Sequence, residues 1–209
     1  MSKGKSKLAQ LIGNYSVESK AKAAIASHFH RDAYDWIGIF ETLESHYDVR
    51  MSARAKCLVN LNFALECDLK AFAVLLSKRD ESAECIYRKL RRCSHKLVEL
   101  ERLCREMSQG KYRIISPKFR DKLSSIDKIG VSVRYDLDLK TAYKLQSFEE
   151  RILNSGTISS ILTHEFSDAI YTEARELHIR VQKAFKRRFT KIIAHEEQVN
   201  DRLKEILRR

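Results

Sequence analysis

Helix breakers are almost missing from this chain: one proline, Pro117, and six glycines are spread over 209 residues. Short strands and tight turns lean on those two residue types, so their scarcity favours a few long helices over many short strands. Hydrophobic residues make up 44% of the chain, which at this length supports a core without covalent staples. The sequence reads as all-α.

The spacing of apolar residues places the helices. Residues 1–15 are small and basic and read as an arm that adds charge but no core. From a start near Ser16 to about Tyr47, Ala21, Ile25, Phe29, Ala33, Trp36, Ile37, Phe40 and Leu43 recur at steps of three and four and line one helical face. A second helix is expected from Ser52, as its N-cap, to about Lys78, with Leu58, Leu61, Leu65, Leu69, Phe72 and Leu76 as its stripe. After a charged break, Ile86, Leu90, Leu97, Leu100 and Cys104 read as one helix, interruptible near Ser94, with Gly110 at its C′ position. Pro117 suits the first position of a short helix to about Ile129, residues 130–140 read as a loop, and a further helix is expected over 139–153. From Ile158 to the C-terminus the helical spacing persists, which without a break spans roughly 75 Å. Such a helix must bend, or leave the bundle and find a partner.

Lys and Arg outnumber Asp and Glu by 40 to 28, a formal net charge of +12. That bias draws polyanions, but it fits RNA, DNA, an anionic membrane or an acidic protein equally well. No apolar run reaches the roughly 18 residues of a membrane span. Cys57, Cys67, Cys85, Cys93 and Cys104 show no C-x-x-C pairing and follow no secretory leader, so they are expected as reduced, packed thiols in a cytoplasmic protein.

Two basic clusters stand out. Arg88, Arg91, Arg92, His95 and Lys96 surround Tyr87 and form a phosphate-binding patch or a solvated helix face. Arg180, Lys183, Lys186, Arg187, Arg188 and Lys191 run without an intervening acid, interleaved with Phe185 and Phe189, and are the strongest polyanion contact in the sequence; a membrane surface or an acidic partner suits them too. Glu66 and Lys70 are spaced i,i+4 in the favourable order for an intrahelical ion pair. Glycine-rich phosphate loops, H-E-x-x-H and zinc spacings do not occur, and His28 and His30 point to different sides of a helix. No metal or cofactor is therefore expected.

In order along residues 50–181, Ala64-x-Glu66-x-x-Leu69-Lys70, His95-x-Leu97 and Arg134-Tyr135-Asp136 followed by a helix resemble the HEPN family. In that family the last motif is Arg-Tyr-Pro, and Asp136 stands here in place of the proline. The resemblance implies an antiparallel helical bundle over 16–181, with an extra N-terminal helix and a basic helical extension over 182–209. It also implies nucleotide or RNA association, a homodimer with a cleft shared by two protomers, and a defence or toxin–antitoxin setting. Glu66 and Lys70 would then define the cleft or dimer surface, and His95 would mark a helix start capped by Ser94. Catalytic members carry an arginine, a short intervening run and a histidine; Arg88 with His95 and Arg188 with His195 fit that spacing, though Lys89 and Phe189 depart from the polar residue that follows the arginine. In a metal-independent endoribonuclease the histidine moves the proton and the arginine stabilises the phosphorane charge. The competing expectation is a noncatalytic subunit that binds a nucleotide and docks a partner, such as a nucleotidyltransferase, through the C-terminal helix.

Overall fold

The computed structural model describes residues 16–44, 51–129 and 164–189, together with Lys204 and Ile206. These residues form six helices and no strand: α1 (Val17–Glu44), α2 (Met51–Leu76), α3 (Ala83–Cys93), α4 (Leu97–Ser108), α5 (Pro117–Ile129) and α6 (His164–Phe189). None of the helices is long and apolar enough to cross a membrane. The expected loop at 130–140, including Arg134, Tyr135 and Asp136, and the expected helix at 139–153 lie outside the described residues.

Three long helices make the centre, and their side-chain pairs fix their directions. Lys22, His30 and Trp36 of α1 meet the Lys78 carbonyl, Asp68 and Phe63, so ascending positions on α1 match descending positions at α2 and α1 runs antiparallel to α2. On α6, His178 meets Asp68 and Arg188 meets Leu75, so α6 runs parallel to α2 and antiparallel to α1. Leu61, Leu65, Leu69 and Phe72 of α2 are fully buried between Ile25, Ile37 and Phe40 of α1 and Ile170, Leu177 and Val181 of α6. Helix α4 covers another side of α2 through Leu100 and Cys104, whose thiol donates to the Leu69 carbonyl at 3.2 Å.

Caps and backbone chemistry account for several of the boundaries. The Ser16 hydroxyl accepts from the Ser19 amide at 3.2 Å and opens α1, and Ser82 does the same for Cys85 at 3.1 Å and opens α3. Pro117 is the first residue of α5, as its fixed φ and missing N–H suit. Helix α4 ends with Gln109 and Gly110 both at positive φ, which places Gly110 where the sequence puts it.

The segment around Ser94 corrects the sequence reading. Residues 83–108 are two helices, broken where the sequence allowed an interruption: Ser94 takes φ 50° and closes α3 as its C-cap, its amide donating to the Arg91 carbonyl. His95 therefore lies in the turn between α3 and α4, not inside a helix start, and Ser94 does not cap α4. The exposed donors of α4 are satisfied from a distance, since the Asp127 carboxylate accepts from the Leu97 and Val98 amides at 2.8 and 3.0 Å.

The C-terminal end of α2 collects two cations. Lys22, only 2% exposed, donates to the Lys78 carbonyl at 2.7 Å, and the Arg188 guanidinium donates to the carbonyls of Leu75 and Ser77. Positive charge at a helix C-terminus is favourable, and burial holds both groups below their ordinary pKa values, helped in Lys22 by the nearby Arg188. Phe189 is buried in the same core, as is Ile206. Helix α6 thus continues as a packed element through position 182, where the basic extension was expected to begin.

Candidate functional site

Helix α2 carries two buried carboxylates, Glu66 and Asp68, and each receives histidine from elsewhere in the chain. Two positions apart on a helix, they face roughly opposite sides.

On one side, Glu66 is 5% exposed and pairs with Lys70 Nζ at 2.5 Å, one turn along the same helix. The α3–α4 turn delivers His95, whose Nδ1 lies 2.9 Å from Glu66 Oε2 and 3.1 Å from Oε1. A carboxylate at Nδ1 holds the proton there and leaves the Nε2 lone pair free, the arrangement that suits an imidazole to take up a proton. The His95 side chain is 53% exposed, and the Phe63 ring meets it edge-on at 6.3 Å. Lys70 is further held over the Phe29 ring at 5.7 Å.

The basic residues around His95 differ in what they touch. Arg88 is exposed and pairs with Glu84 at 2.6 Å across one helical turn. Arg91, Arg92 and Lys96 are exposed and form no ion pair among the described residues. The second cluster divides as well. Arg180 is drawn inward to the buried Glu173 and to Glu176 at 3.1 Å, while Lys183, Lys186 and Arg187 are exposed. Arg188 is committed to the carbonyls of Leu75 and Ser77, and Lys191 and His195 lie outside the described residues. Neither arginine that fits the family-like spacing is thus brought onto a histidine among the described residues.

On the other side of α2, Asp68 is 1% exposed and sits between two histidines. His30 of α1 approaches Oδ1 through its Nδ1 at 2.8 Å, and His178 of α6 approaches Oδ2 through its Nδ1 at 3.0 Å. The two rings stack with centroids 3.9 Å apart and planes 17° from parallel, and Tyr34 lies against His178 at 5.9 Å. His28 turns away to Arg31 and Asp32, so the separation of His28 from His30 holds. His178 and Asp68 were not singled out in the sequence. The available signal was a carboxylate in an apolar stripe, because Asp68 occupies the register of Leu61, Leu65 and Phe72.

The thiols stay out of this chemistry. None of the five is in a disulfide; Cys57 and Cys104 are buried, and burial, with the neighbouring Glu66 charge, pushes Cys67 up to about 12. An open hollow of about 520 Å³ lined by Tyr34, Ile39, Leu43 and Arg175 has no histidine in its lining among the described residues. No family model, curated protein or solved structure matches the chain.

Proposed function

We propose that the face around His95 contacts RNA and that the protein is a HEPN-like, metal-independent endoribonuclease. One observation supports this reading above the others: an exposed imidazole, oriented through Nδ1 by a buried carboxylate, shares its surface turn and preceding helix with the unpaired Arg91, Arg92 and Lys96. In this reading His95 Nε2 takes the proton of a ribose 2′-hydroxyl. The 2′-oxygen attacks the adjacent phosphorus, the bond to the 5′-oxygen breaks as that oxygen takes a proton from solvent and leaves as a 5′-hydroxyl, and a 2′,3′-cyclic phosphate forms. Arg91, Arg92 and Lys96 hold the phosphate and offset its growing charge. Glu66 is a positioning residue, and Lys70 holds it in place through their ion pair. A second protomer supplying further groups, as the family resemblance implies, completes the cleft.

The test is incubation of the full chain with labelled total RNA and tRNA in EDTA, beside His95→Ala and Glu66→Gln. Cleavage abolished in His95→Ala and slowed in Glu66→Gln, with RNA binding retained, is the expected result. Full cleavage by His95→Ala would overturn the assignment. A second reading is a noncatalytic subunit that binds a polyanion or a nucleotide and docks a partner protein. It is favoured by Arg88 and Arg188 both being engaged away from a histidine, and cleavage-free, salt-sensitive binding by the wild type would select it.

A further inference from the structure

From the convergence of His30, Asp68 and His178 we infer a binding site for a divalent first-row transition metal ion, of which Zn2+ is the natural probe. Three long helices each supply one residue, and one ligand atom from each lies within 4.8 Å of the other two. Two imidazoles and one carboxylate form a donor set that suits zinc, nickel, copper and non-haem iron and is poor for calcium or magnesium. The site is independent of the His95 face, because Asp68 and Glu66 look out on different sides of α2.

Charge argues the same way. Asp68 is almost fully withdrawn from water, yet among the described residues no lysine or arginine pairs with it; only the two imidazoles do. With only imidazoles beside it among the described residues, the buried carboxylate has no lysine or arginine to pair with, and a divalent cation held between the three side chains would answer its charge directly. The two histidine side chains are 17% and 15% exposed, so an ion can enter and a water can complete its coordination. At metal–ligand bonds of about 2.1 Å, tetrahedral ligand atoms sit roughly 3.4 Å apart, so from the present spread of up to 4.8 Å the donors need move together by about 1.4 Å at most. The imidazole planes must splay out of their stack to aim at one ion. That is a rotation about χ2, which is broad and soft in histidine.

Occupancy would tie α1, α2 and α6 together at one point, so the metal adds stability to the bundle as well as a water-bearing cation. The experiment is Co2+ and Zn2+ titration of the full, chelator-stripped chain, followed by visible absorption and by the thermal midpoint. The expected result is a saturable cobalt d–d spectrum displaced by zinc, with a raised midpoint. Asp68→Asn keeps the shape but removes the anionic ligand and should weaken uptake on the order of a hundredfold. His178→Gln should abolish the spectrum, and His28→Gln should leave it unchanged. An unaltered spectrum in folded Asp68→Asn would overturn the site, as would absence of saturable binding by the wild type or a sulfur-to-cobalt charge-transfer band marking a cysteine site. His178→Gln keeps the question decidable should Asp68→Asn fail to fold.

Discussion

Lys22 shows how one buried cation can couple folding to pH. Its ammonium lies against the carbonyl end of α2 with burial pulling its pKa below 10.5. The unfolded chain therefore holds this proton more tightly than the folded one, and where the unfolded state binds more protons stability rises with pH. Between the lowered folded value and 10.5, Lys22 thus makes folding progressively more favourable as the solution becomes alkaline. Denaturant unfolding of the wild type beside Lys22→Met, from neutral pH to about 10.5, should show an upward contribution in the wild type that the variant lacks. Parallel stability curves for the two proteins would refute the coupling.

At the scale of the element, the α3–α4 break is held by a residue far away in sequence. Asp127 of α5 accepts from two of the first amides of α4, so Asp127→Ala should lower stability by about 1 kcal/mol and loosen the start of α4. Hydrogen exchange at Leu97 and Val98 checks this, and unchanged protection would count against the cap. The same contact explains what the sequence could and could not disclose. The faces of α1, α2 and α6 were legible because apolar residues recur at helical steps, and Pro117 and Gly110 announced themselves by their backbone chemistry. The break at Ser94 was legible only as an allowed interruption, because a serine at φ 50° and a cap thirty residues distant leave no local pattern that requires it. Glu66 and Lys70 were visible as an i,i+4 pair, whereas their junction with His95 depends on where the turn lands. The meeting of His30, Asp68 and His178 was less legible still, since His178 is 110 positions from Asp68 and only the assembled bundle joins them.

For the molecule as a whole, a charge of +12 says less than its distribution. Lys22 and Arg188 are spent on carbonyls at and just past the end of α2, Arg180 on buried acid, and Arg102 on surface pairs with Glu99 and Glu106. Arg91, Arg92 and Lys96 remain open to a polyanion. Each phosphate contact adds about one unit to the slope of log affinity against log salt concentration. Arg92→Gln should therefore lower that slope for RNA by about one and Arg102→Gln should leave it unchanged, as filter binding over a salt series would reveal. Equal effects of the two substitutions would mean that RNA senses net charge and not this face.

Because Glu66 and Asp68 leave opposite sides of one rigid rod, α2 acts as an axle between two histidine sites. Any turn of that rod about its own axis carries the two carboxylates in opposite lateral directions. Only a motion that turned α2 itself would move the carboxylate beneath His95 as well; one that drew α1 and α6 inward without turning it would leave that imidazole in place.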